Sequence, residues 1–164
     1  MQTGKCADDD GLTAEHFHNA PLSVLQRLTS LFNYMMSHAF VPKQFRSGFM
    51  IPIIKDNQGS HSDVGNYREI TISPVISKIF KHVLKIVFSE HLASSPYQFG
   101  FKKKKSISHA LHCLRGTINY YVNHGSRVFC SFLDASKAFH KLVHSGLFIK
   151  LMDRNIPNVF LDIV

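Results

Sequence analysis

The sequence predicts an α+β fold, on three observations. Apolar residues recur at three- and four-residue steps in three separate stretches, two short β-prone runs flank a polar loop, and a further β-prone run ends on an aspartate. At 164 residues, 45% hydrophobic and 18% charged, the chain has apolar side chains enough for one globular core and is short for two complete domains.

The first helix is expected between Pro21 and Phe40. Leu22, Leu25, Leu28, Phe32, Met35, Met36 and Ala39 share one face there, and Pro42 sets the exit. Phe49 to Ile54 is an apolar block in which Pro52 favours an edge strand, followed by the polar turn Lys55 to Gly59. The loop continues to Asn66, and Tyr67 to Ser73 supplies the returning arm of a hairpin. Ser73-Pro74 then opens a second helix, the hydroxyl as its cap, with Val75, Ile76, Ile79, Phe80, Val83, Leu84, Val87 and Phe88 on one side. Lys78, Lys81, His82 and Lys85 make its other side cationic.

Ser94-Ser95-Pro96 breaks that pattern. After Lys102 to Lys105 a third helix starts near Ser106, with Ile107, Ala110, Leu111, Leu114, Ile118, Tyr121 and Val122 facing inward and Gly125 placed to stop it. Val128 to Leu133 reads as a strand with Asp134 at its end. Helical residues resume over Ala135 to Phe139, and Ser145 caps a further short helix through Leu151. There is no internal repeat.

Several classes are set aside. No apolar run approaches the roughly 20 residues of a membrane span, so no membrane is expected as a partner. Met1 to Gly11, with Asp8, Asp9 and Asp10, lacks the order of a secretory signal, and three widely spaced cysteines suit a reducing compartment. The expectation is an intracellular protein, nuclear or cytoplasmic and not secreted. Neither a Walker loop nor a Gly-x-Ser-x-Gly elbow is present. Nineteen Lys and Arg against eleven Asp and Glu leave a net charge of +8, a field that attracts phosphate-rich partners.

Asp134 is the best chemical candidate, because a carboxylate at the end of a strand is held on a rigid element and suits a hard cation such as magnesium. On local sequence alone an N-cap of the helix starting at Ala135 is the better reading than a metal ligand. Lys102 to Lys105, ahead of Ser106, suit a phosphate backbone at a helix start or a plain solvated charge run. Lys55 and Arg68 flank the hairpin loop, placed to clamp a polyphosphate. His140 with His144, and His109 with Cys113, have a four-residue spacing that suits a metal. Lys141 occupies the place of a zinc protease glutamate, however, and no third ligand is evident, so solvent-facing histidines are expected.

Five blocks stand in a telling order: Asp10-Gly11-Leu12-Thr13-Ala14-Glu15, Ile51-Pro52-Ile53-Ile54-Lys55, Tyr67-Arg68-Glu69-Ile70, Gln98-Phe99-Gly100-Phe101, and Phe132-Leu133-Asp134-Ala135-Ser136-Lys137-Ala138-Phe139. Together they resemble the reverse transcriptase of non-LTR (LINE-type) retrotransposons, over nearly the whole chain from about Lys5 to Val164, the last block being the most specific. The resemblance implies a partial right-hand polymerase, its fingers and the beginning of its palm. Residues 13–164 would form this partial domain, ending before the second catalytic motif, behind a flexible segment 1–12.

It also implies roles. Asp134 matches the first catalytic aspartate, which holds Mg2+ in a two-metal site that activates the primer hydroxyl and stabilises the leaving pyrophosphate, and the cap reading recedes. Phe139 matches the aromatic that packs under the incoming sugar and disfavours a ribose hydroxyl. Lys55 and Arg68 match contacts to the incoming triphosphate, with the main chain of Ala135 and Ser136 beside it. Gln98, Lys102, Lys103, Lys104, Lys105 and Ser106 match a segment near template and substrate. The implied partners are an RNA template, a DNA primer and dNTPs.

The chain also departs from the pattern. Glu69 stands where the family usually has proline, a charge that would repel triphosphate, and His140 stands where it has aspartate. Asp8 and Asp9 alter the turn before Asp10-Gly11. After Asp134 only Asp153 and Asp162 follow, neither in the aromatic-Ala-Asp-Asp setting of the second metal motif, so the two-metal site is incomplete in this chain. The expectation is a reverse transcriptase family fragment, inactive alone. The alternatives are a non-catalytic nucleic-acid-binding remnant of a retroelement and a translated fossil without a stable fold.

Overall fold

The computed structural model describes residues 1–135, 138 and 141–164. Along the chain run α1 (Ala14–His18), α2 (Leu22–Ser37), α3 (Lys43–Arg46), β1 (Phe49–Ile54), β2 (Tyr67–Ile72), α4 (Val75–Val87), α5 (Ile107–Asn123), α6 (His144–Met152) and α7 (Asn158–Ile163). Two compact units divide it: residues 1–91 with 148–164, and residues 92–147.

In the first unit the hairpin forms as expected. β1 and β2 pair antiparallel, Phe49 opposite Ile72 and Ile54 opposite Tyr67. Gly48 leads in, and a Cβ there would stand 2.7 Å from the Ile72 carbonyl oxygen, so the close approach of the two arms needs a glycine. The core lies among the helices: Phe32 and Met35 of α2, Val75, Phe80 and Leu84 of α4, Phe160 of α7, and Phe88 and Ile156 beside them are buried. The Phe80 ring lies 5.1 Å from Phe32 and edge-on to Phe45 at 6.1 Å, while Phe88 meets Phe160 at 4.9 Å. These are favourable tilted and T-shaped arrangements.

The start of α4 differs from expectation. Pro74, not Ser73, holds the N-cap position, and no neighbouring hydroxyl caps the helix. The cap comes from far away. Asp8 is buried, its Oδ2 accepts the Val75 N–H at 2.6 Å and its Oδ1 accepts the Leu12 N–H at 2.8 Å. A carboxylate at a helix N-terminus satisfies an otherwise orphaned amide and complements the helix dipole. Asp8 thus fastens the amino-terminal segment to α4.

In the second unit α5 begins where predicted: the Ser106 hydroxyl accepts the His109 N–H, and Gly125, with φ +79°, follows the helix end. Its expected inward face is not covered, because α5 has no buried residue and Ile107, Leu111, Tyr121 and Val122 are exposed. Val128 to Leu133 likewise forms no strand. Phe129, Phe132 and Leu133 stand in water, Leu133 at 98% exposure. A strand exists by pairing, and the only sheet among the described residues is β1 with β2. The short helix placed at Ser145 starts one residue earlier than that cap, at His144, and runs to Met152. α1, α3 and α7 are too short to show periodicity and were not expected.

Candidate functional site

Lys55 and Arg68 are brought together by the hairpin. Arg68 pairs with Ile53, and the ladder continues past the strand end, the Lys55 N–H donating to the Asn66 carbonyl at 2.8 Å. Because alternate residues of a strand share a face, Lys55 and Arg68 are diagonal neighbours on one face, whereas Glu69, opposite Pro52, belongs to the other. The charge expected to repel triphosphate therefore points away from the two cations.

Asn66 organises the loop between them. Its Oδ1 accepts the Asp56 N–H at 3.0 Å, and its Nδ2 donates to the carbonyls of Asp56 at 2.8 Å and Ser60 at 3.3 Å. The Lys55 Nζ donates to the Gly65 carbonyl at 2.8 Å and the Tyr67 hydroxyl to the His61 carbonyl at 2.8 Å. Asn66 was not among the candidates the sequence offered. Its only signal was position, a side-chain amide immediately before the returning strand, where Asn commonly closes turns.

The lysine tract is not uniform. Lys102 Nζ donates to the carbonyls of Ser94 at 2.9 Å and Ser95 at 2.7 Å. Lys105 Nζ donates to the Pro96 carbonyl and lies 5.0 Å from the centre of the Phe99 ring. The Gln98 side chain donates to the Gly100 carbonyl at 3.1 Å, and Ser106 caps α5. Four of the six residues assigned to this segment thus hold the loop itself. Lys103 and Lys104 are exposed.

Asp134 and Ala135 are exposed, and the helix expected over Ala135 to Phe139, with the N-cap reading of Asp134 that depends on it, falls largely outside the described residues. Ser136, Phe139 and His140 lie outside the described residues. No group of three His, Cys, Asp or Glu side chains able to hold a metal occurs among the described residues, around Asp134, His109 with Cys113, or anywhere else. One exposed carboxylate does not outcompete water for a divalent cation, so the described residues alone do not fit a magnesium site.

The displaced titration lies elsewhere. Glu15 is held below the usual carboxylate range, first by the Gly4 N–H donating to its Oε1 at 2.5 Å, then by its own amide and the Thr13 hydroxyl.

The chain is basic and α+β, with two cations sharing one hairpin face in the first unit and a lysine-rich loop ahead of α5 in the second. The family described as reverse transcriptase (RNA-dependent DNA polymerase) matches residues 53–163. This chain belongs to that family, as its resemblance to the enzymes of non-LTR retrotransposons implied. It is similar to the RNA-directed DNA polymerase from mobile element jockey of Drosophila melanogaster, 24% identical over 161 residues, covering 96% of this chain and 18% of the relative. It is also similar to the probable RNA-directed DNA polymerase from transposon X-element of the same organism, 27% identical over 144 residues, covering 81% of this chain and 16% of the relative. The chain therefore spans less than a fifth of the length of these relatives. No solved structure matches it.

Proposed function

We propose that this chain is the fingers and opening palm of an RNA-directed DNA polymerase that adds dNTPs to a DNA primer along an RNA template. Lys55 and Arg68 contact the incoming triphosphate, the main chain of Ala135 and Ser136 lies beside it, and Phe139 packs under the sugar. The Gln98 to Ser106 loop follows the nucleic acid. Asp134 supplies one carboxylate toward Mg2+, and the remaining ligands come from outside the described residues. The observation that carries this reading is the family match through residues 53–163, which contains most of the Ile51 to Lys55 block and all of the three blocks after it. The diagonal placement of Lys55 and Arg68 supports the triphosphate role. The compartment is an intracellular one, nuclear or cytoplasmic. No helix among the described residues is long and apolar enough to cross a membrane.

A second reading, a non-catalytic nucleic-acid-binding remnant, is favoured by Glu69 and His140 at positions where the family usually has proline and aspartate. Primer extension separates the two. The chain alone is expected to incorporate nothing. Joined to the polymerase segment that follows the matching region in the jockey relative, it is expected to incorporate dNTPs on an RNA template, and Asp134→Ala to bring incorporation to background. A joined protein that binds oligonucleotides without incorporating would select the remnant. Extension by the chain alone, abolished by Asp134→Ala, would contradict the incomplete metal site.

A further inference from the structure

We propose that the loop 94–106 is a base-stacking platform for a single strand of nucleic acid, in which Tyr97 and Phe101 present ring faces and Lys103 and Lys104 hold phosphates, while Lys102 and Lys105 act as scaffold. This rests on the nucleic-acid reading of the loop given above and adds its partner class and a division of labour.

Tyr97 is 86% and Phe101 95% exposed, so neither ring contributes to a core. Bare rings on a slack loop would carry no meaning, but this backbone is pinned. Lys102 ties down the carbonyls of Ser94 and Ser95, Lys105 that of Pro96, and the Gln98 side chain that of Gly100, while the Tyr97 N–H donates to the Ser95 hydroxyl. A pinned backbone presents its side chains at reduced entropic cost on binding. Phe99, between the two bare rings, is partly covered and already engaged by the Lys105 ammonium. Every second residue from Tyr97 to Phe101 is therefore aromatic, the outer two turned to solvent and the middle one holding the scaffold.

Backbone conformation adds to this. Phe101 and Lys104 have φ of +59° and +62°, in the left-handed region that costs a residue with a Cβ on the order of 1 kcal/mol. Each is one of the residues assigned here to contact the ligand. The surrounding sequence adds only positive charge: no Asp or Glu occurs from His91 to Leu133, and the amino end of the 17-residue α5 follows directly. Aromatic faces interleaved with free cations are the pattern that binds single strands with little sequence preference, since every base has a face to stack. A duplex keeps its bases stacked on one another and offers only phosphates to the same loop.

The test uses the whole chain and a fluorescent oligouridylate of about 12 nucleotides, within the usual site size for such platforms, beside a blunt RNA duplex of equal length, with anisotropy read across a salt series. Tyr97→Ala with Phe101→Ala is expected to weaken single-strand binding at least about 10-fold, with the salt slope unchanged and duplex binding within about twofold. Lys103→Gln with Lys104→Gln is expected to weaken both ligands and lower the single-strand salt slope by about 1.4, two phosphate contacts' worth. Tyr97→Phe with Phe101→Tyr keeps both rings and is expected to keep affinity. The chain has no tryptophan, so Tyr97→Trp provides a lone emission that oligouridylate should quench and heparin, a polyanion without bases, should not. Ring removal that leaves single-strand affinity intact, or an emission insensitive to oligouridylate, would overturn the stacking site while sparing the nucleic-acid reading. A parent chain that binds neither oligonucleotide would overturn both.

Discussion

α2 of the first unit and α5 of the second are similarly amphipathic and have opposite fates. In residues 1–91 with 148–164, α2, α4 and α7 contribute to a core in which Met35 is fully buried. Among the described residues of 92–147 not one is buried, although α5 has a stripe of Ile, Leu and Tyr as regular as that of α2. Charge is divided as sharply. The first unit has eleven Lys and Arg against ten Asp and Glu, and the second has eight against the single Asp134, so nearly all of the chain's +8 resides in the second. One region coheres around a core and the other concentrates the positive charge. Apolar periodicity says which face of a helix ought to be covered and is silent on what covers it.

That contrast can be broken by mutation. Phe80→Ala removes a ring packed against Phe32 and Phe45 and is expected to cost about 3–5 kcal/mol in urea unfolding. A cost below about 1 kcal/mol would mean the first unit has no cohesive core. Asp8→Ala strips the remote cap from α4 and is expected to cost about 1–2 kcal/mol, with Asp8→Asn in between because it keeps an acceptor. An equal loss for both would place the effect in the charge and its interaction with the helix dipole.

Glu15 sharpens the comparison through pH. Its folded carboxyl ionises below the ordinary 4.5, so it contributes stability above that value and loses the contribution as pH falls from 4.5 through the folded pKa. Glu15→Gln is therefore expected to flatten the acid limb of a melting-temperature profile below pH 4.5, with little change in the profile's shape above it. A variant profile parallel to the parent's throughout would contradict the assignment. The smallest effect is expected in the second unit: Leu111→Ala and Leu133→Ala, at exposed positions, should stay within about 0.5 kcal/mol.

Much of the first unit was legible in the sequence because its signals are local. Both strands were placed to within a residue, and α2 and α4 followed from their apolar spacing, although α2 ends at Ser37 and α4 at Val87, ahead of the proline and the broken pattern expected to stop them. The Asp8 cap was not legible, since it joins residues 67 apart and nothing near Ser73-Pro74 announces it. In the second unit the start and stop of α5 were readable from Ser106 and Gly125, again local chemistry. The strand at Val128 to Leu133 failed because pairing is a tertiary property that β-prone composition cannot supply. At the candidate site, Lys55 and Arg68 were read correctly as hairpin neighbours, while the opposite facing of Glu69 needed the register. The lysine tract looked like four equal charges, and only the carbonyls of Ser94, Ser95 and Pro96 distinguish scaffold from free cation.

Amide hydrogen exchange on the 164-residue chain, resolved by segment, tests the division most directly. α4 is fastened by Asp8 and packed through Phe80 and Leu84, whereas α5 has no covered face, and a helix without packing is marginal in water. The account predicts slow exchange across 22–37 and 75–87 and markedly faster exchange across 107–123. Protection of α5 equal to that of α4 would contradict it.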